Sequence, residues 1–110
     1  MTHQHRELAA GRWYGLSFFE QMANVGTEVG RTISWKNRNR QDYSQRAFDR
    51  ALELLVLTIS DRKNRSRLRE LLRVREALAD CYAFDNTYQS SDESWQRYFY
   101  SFQFAARSKR

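Results

Sequence analysis

The sequence predicts an all-α protein, an antiparallel up-and-down four-helix bundle. Three observations carry this expectation. Proline is absent from the 110 residues and the four glycines all fall in the first third, which removes the usual punctuation of sheets and hairpins. Apolar residues recur at helical spacing in four segments. The connections between those segments are short, as consecutive antiparallel helices require. Residues 1–12 read as a polar, flexible tail, and residues 13–110 as one domain with a single core.

The first helix is expected to start near Ser17, where Ser17 and Glu20 have capping-box spacing, or earlier, around Arg12. Phe18, Met22, Val25, Val29 and Ile33 form its buried stripe. Gly26 and Gly30 lie beside that stripe, and each costs a helix about 1 kcal/mol relative to alanine. Close approach of a second backbone, within the bundle or from another subunit, would compensate. Trp35 falls opposite the stripe and is a candidate for an intersubunit contact.

The first connection, WKNRNRQD, carries Lys36, Arg38 and Arg40. Asp42 is the expected N-cap of a second helix running from Tyr43 to about Ser60. There Ala47, Phe48, Ala51, Leu52, Leu54, Leu55, Thr58 and Ile59 cover close to half the circumference, which marks the central helix of the fold. After DRKNR, a third helix is expected from about Ser66 to Tyr82 or Phe84. Its apolar arc contains Leu68, Leu71, Leu78 and Tyr82, flanked by Val74 and Cys81, and the helical wheel puts Arg75 inside that arc. A buried arginine needs a partner, so Arg75 is expected to meet a carboxylate, Glu53 or Glu28, or another subunit. The loop DNTYQSSDES leads to a fourth helix, Asp92 to about Arg107, with Ser90 and Glu93 as a second capping box. Trp95, Tyr98, Phe99, Phe102 and Ala106 make its core face, while Tyr100 and Phe104 fall on the outer side with Arg97 and Arg107. An apolar side left outside one bundle usually meets another molecule.

The net charge of +6 conceals alternating blocks: +3 over 1–41, −2 over 42–61, +6 over 62–75, −5 over 76–93 and +4 over 94–110. Up-and-down packing would bring Arg62, Lys63, Arg65, Arg107, Lys109 and Arg110 to one end of the bundle. Arg69 and Arg73 would continue the positive strip along its wall. A basic surface of this kind attracts phosphate backbones through counterion release, although charged helix faces also serve solubility alone.

Catalytic constellations are missing. Both histidines, His3 and His5, precede residue six, so a di-iron bundle's Glu-x-x-His motif is excluded, and they form no metal site without a third ligand. There is no phosphate loop, no nucleophile elbow and no cysteine pair for zinc. Cys81, alone, reads as a small core residue. No enzyme activity, cofactor or metal is expected. No apolar run approaches the roughly 20 residues of a membrane helix, and MTHQHRELAA lacks the apolar core of a signal peptide, so a cytoplasmic location is expected.

A small, basic, cysteine-poor bundle with a core-rich second helix, an arginine-rich third and aromatic residues in the fourth resembles a known family. It is similar to the accessory variability determinant (Avd) proteins of diversity-generating retroelements, and to the wider group of bundle proteins encoded in ribosomal RNA intervening sequences. The resemblance covers roughly Trp13 to Arg107 and rests on pattern and size. It implies a ring-forming homo-oligomer, pentameric in Avd, with a positive surface that binds structured RNA and docks a reverse transcriptase. The residues themselves designate Arg62, Lys63, Arg65, Arg69, Arg73, Arg107, Lys109 and Arg110 as phosphate ligands. They designate Trp35, Tyr100 and Phe104 as subunit-packing or base-stacking groups. RNA is favoured over DNA as the nucleic acid, and a protein-interaction adaptor is the alternative.

Overall fold

In the computed structural model, which describes residues 10–108, every regular element is helical. A helical turn over 10–14 precedes α1 (Phe18–Asn37), α2 (Gln41–Ser60), a 3-10 segment (Arg62–Arg67), α3 (Leu68–Ala83) and α4 (Asp92–Ser108). The tail expected over residues 1–12 lies outside the described residues as far as residue 9, while residues 10–12 belong to the first turn.

Helix α1 begins where the capping box places it. Ser17 Oγ accepts the Glu20 N–H, and the Glu20 carboxylate accepts the Ser17 N–H. The other two caps differ from expectation. Residue Arg40, not Asp42, precedes α2, with no side-chain cap; Asp42 falls inside the first turn, where its charge suits the positive end of the helix. The start of α4 is closed by Ser91 and Ser94, which exchange backbone-to-hydroxyl bonds of 3.0 and 3.1 Å, rather than by Ser90 and Glu93. Serine at both ends reproduces the reciprocal logic of a capping box one position later.

The expected stripe of α1 is the middle of the core: Phe18, Met22, Val25, Val29 and Ile33 are all buried. They meet Phe48, Ala51 and Leu55 from α2 and Trp95, Phe99 and Phe102 from α4. Burial of each large apolar side chain contributes about 1.5–3 kcal/mol. Helix α1 packs on both α2 and α4, whereas α3 attaches mainly through α2 and the 3-10 segment. The central position expected for the second helix is therefore shared with α1. Gly26 is part of the reason, because a Cβ there would sit 2.6 Å from Phe99 Cβ. Its missing side chain lets α4 come close, and this settles the neighbour of Gly26 as internal. Gly30 has no heavy atom within 4 Å of the position a Cβ would take.

Polar pairs fix how the ends of the helices meet. Lys36 near the end of α1 binds the carboxylate of Asp92 at the start of α4, and Tyr82 of α3 donates to the same carboxylate. Burial pushes the Asp92 carboxyl up, but those two donors outweigh it and leave it below its ordinary range. Ser44 of α2 donates to the Thr32 carbonyl of α1, and Tyr98 of α4 donates to Glu70 of α3.

A buried knot of polar groups docks the 10–14 turn. Trp13 Nε1 donates to Thr58 Oγ1 at 3.0 Å, and Gln21 Nε2 reaches both the Trp13 carbonyl and Asp61. Asn64 Nδ2 donates to the Gln21 side chain and to the Thr58 carbonyl. Trp13, Gln21, Thr58, Asp61 and Asn64 are all buried. Hydrogen-bonding partners of this kind are what makes burial of polar side chains tolerable.

Arg75 is the clearest departure in α3. It is exposed, and no ion pair to it occurs among the described residues; Glu28 pairs with Arg31 and Arg50 instead, and Glu53 is exposed. The inward side of α3 is Leu71, Val74 and Leu78, while Leu68 is 39% exposed. Counting Leu68 as core rotates the apparent arc by about 40°, at 100° per residue, and that rotation alone drew Arg75 inside.

Candidate nucleic-acid interface

The basic run is laid out by two helical periods in succession. In the 3-10 segment, with three residues per turn, Arg62 and Arg65 stand one above the other. From Leu68 onward the α-helical period takes over, and the four-residue step from Arg69 to Arg73 holds one face of α3. All four side chains are exposed, and none makes an ion pair among the described residues. The Asp61 carboxylate starts the segment by accepting the Lys63 N–H.

The other cations near this strip are placed differently where the structure describes them. Lys63 is engaged internally: its ammonium binds the Asp61 carboxylate and donates to the Tyr14 carbonyl. Burial pushes the Asp61 carboxyl up, but hydrogen bonds from the Lys63 and Gln21 side chains and the Lys63 N–H hold it below its ordinary value. Arg67 turns back onto the protein, with its guanidinium 4.3 Å from the Phe18 ring centre. Arg107 is exposed near the end of α4, beside a shallow hollow with Leu16, Glu20 and Asn24. Lys109 and Arg110 lie outside the described residues.

Beside Arg69 and Arg73 stands one exposed aromatic side chain, Tyr88. Arg69, Leu72, Arg73, Glu76, Ala77 and Tyr88 line a shallow groove. Tyr88 is 58% exposed and is held by its hydroxyl on Glu76. The loop that carries Tyr88 is built on Asp80, whose carboxylate accepts the N–H groups of Thr87 and Tyr88. Those bonds lower its pKa, the Tyr88 N–H first. Two carboxylates of the acidic block 76–93, Glu76 and Asp80, thus serve as structural acceptors.

The predicted interface residues divide in the same way. Tyr100 and Phe104 are 49% and 60% exposed and flank an apolar groove between α1 and α4, along Gly26 and Gly30. Trp35 is half-buried, and its ring lies 4.8 Å from that of Tyr43 in a stacked arrangement. Sequence reasoning passed over Tyr43 and Arg46, which join Arg38 and Arg40 around that ring pair. The available signal was the eight-residue spacing of the two aromatics across a connection too short to separate them.

Among the described residues no three His, Cys, Asp or Glu side chains gather as a metal site, and no helix is long and apolar enough to cross a membrane. Comparison with protein-family models, curated proteins and solved structures returns no match. The functional reading therefore stands on the residues of this chain.

Proposed function

We propose that this protein is a noncatalytic RNA-binding accessory protein, a self-associating up-and-down antiparallel four-helix bundle. The observation that carries the reading is the run of four exposed guanidinium groups, Arg62, Arg65, Arg69 and Arg73, none of which makes an ion pair among the described residues. Guanidinium forks match phosphate oxygens, and a line along a helix wall tracks a backbone rather than one isolated phosphate. RNA is favoured over DNA because exposed aromatics sit beside the cations, as recognition of unstacked bases requires. The Avd resemblance adds a reverse transcriptase as the partner class and a ring as the assembly. A cytoplasmic setting fits that role.

Binding to a structured RNA, followed by fluorescence anisotropy, tests the reading. Arg69→Glu combined with Arg73→Glu is expected to weaken binding at least tenfold while circular dichroism stays helical; equal affinity would remove the strip from the site.

The α1/α4 groove supports the self-association part, because Tyr100 and Phe104 leave large apolar surface uncovered. Phe104→Glu is expected to reduce the sedimentation mass of the assembly to that of the single chain. The adaptor reading draws on the same groove, with a different protein as occupant. It predicts that Phe104→Glu abolishes partner capture and that no RNA is bound at any salt concentration.

A further inference from the structure

We infer that the Trp35–Tyr43 pair and its three arginines form a second nucleic-acid site, one that takes an unpaired nucleotide by stacking its base and holding its phosphate. The inference rests on the nucleic-acid reading above but not on the α3 strip. Helix α1 is 20 residues long, about 30 Å. The Arg62–Arg67 segment lies by its start, against Tyr14, Phe18 and Gln21, and the Trp35 cluster lies at its end.

The geometry is that of a stacking platform. The two rings stack with centres 4.8 Å apart and planes 30° apart. Arg38 stands 5.5 Å from the Trp35 ring centre, and Arg40 and Arg46 stand 4.7 and 5.4 Å from that of Tyr43. Tyr43 and all three arginines are exposed, and none of these arginines makes an ion pair among the described residues. Three guanidinium groups rest on aromatic faces and make no ion pair among the described residues, which leaves their N–H edges open to an anion. A guanidinium stacked on a ring still offers its N–H edge to a phosphate oxygen. An exposed cation–π contact is also weaker than base–aromatic stacking, so an incoming base displaces a guanidinium from the ring and leaves it beside the phosphate. An acidic peptide would satisfy the arginines but make no use of the paired rings. A duplex, whose bases are already stacked, would make no use of them either. The unpaired nucleotide is the ligand that uses both.

The test is fluorescence anisotropy of the full chain with a labelled oligoadenylate and with a labelled RNA duplex, and polyglutamate as competitor. Trp35→Ala with Tyr43→Ala is expected to weaken oligoadenylate binding about tenfold or more and to leave duplex binding unaltered. Arg38→Glu with Arg40→Glu, both exposed and remote from the core, is expected to show the same selective loss and serves if the alanine pair unfolds. In the wild type, a photoreactive oligouridylate is expected to crosslink to Trp35 or Tyr43. Unchanged oligoadenylate affinity in a helical variant, crosslinks confined to α3, or capture of polyglutamate without oligoadenylate would each overturn the site. Duplex binding without oligoadenylate binding removes this site and leaves the α3 reading standing; binding of neither probe removes both.

Discussion

At the scale of single residues, Gly26 and Gly30 look alike in sequence and differ in what surrounds them. At Gly26 the added Cβ meets Phe99 Cβ, an atom fixed close to its own backbone, so the clash cannot be relieved by rotating a side chain. Gly26→Ala is expected to destabilise by about 1–3 kcal/mol despite the better helix former. At Gly30 the space is open, and Gly30→Ala is expected to stabilise by about 0.5–1 kcal/mol. Urea unfolding of the two variants separates these outcomes. Asp61 gives a pH-dependent prediction. Its carboxyl is held below the ordinary value, so its contribution is present above the unfolded pKa of about 3.9 and is lost as pH falls through the lower folded value. Asp61→Asn is expected to cost about 1–3 kcal/mol at neutral pH and to flatten the loss of stability in acid. Urea midpoints measured across that range check both. Lys63, two residues on, is a local partner of Asp61, but Gln21 was not legible in the sequence, because the Gln21–Asp61 and Gln21–Asn64 bonds join residues 40 and 43 positions apart through geometry that no local pattern encodes.

At the scale of elements, periodicity located all four helices, since a one-sided apolar stripe is written directly into the spacing of α1 and α4. Phase was harder. Leu68 opens α3 directly after the 3-10 segment and is exposed, so counting it as core extended the apparent apolar arc and took in Arg75. Arg62, Arg65, Arg69 and Arg73 are exposed, as residues far from the boundary of the apolar arc should be. Lys63 did not keep the part expected of it, since a neighbouring buried carboxylate engages its ammonium. The loop between α3 and α4 makes a separate prediction. Asp80 accepts two backbone N–H groups from it, so Asp80→Ala is expected to accelerate hydrogen exchange at Thr87 and Tyr88 while leaving α3 protected. Unchanged exchange would mean that the remaining bonds, Tyr88 to Glu76 and Asn86 to Ser90 among them, suffice to hold the loop.

At the scale of the whole molecule, the helices bring arginines that make no ion pair among the described residues to two places, the α3 wall and the Trp35–Tyr43 end, and leave an exposed tyrosine near each. The buried layer between them, from Phe18 to Ile33 on α1, is what holds these surfaces in a fixed relation. The most direct test of the account is the salt dependence of binding to a structured RNA. Four phosphate contacts from the α3 strip, at about 0.9 per contact, predict a log–log slope of about −3.6, a loss of roughly a hundredfold between about 50 and 200 mM salt. In Arg69→Glu with Arg73→Glu the slope is predicted to become shallower by about 2. A flat salt dependence, or no binding at low salt, would contradict the account.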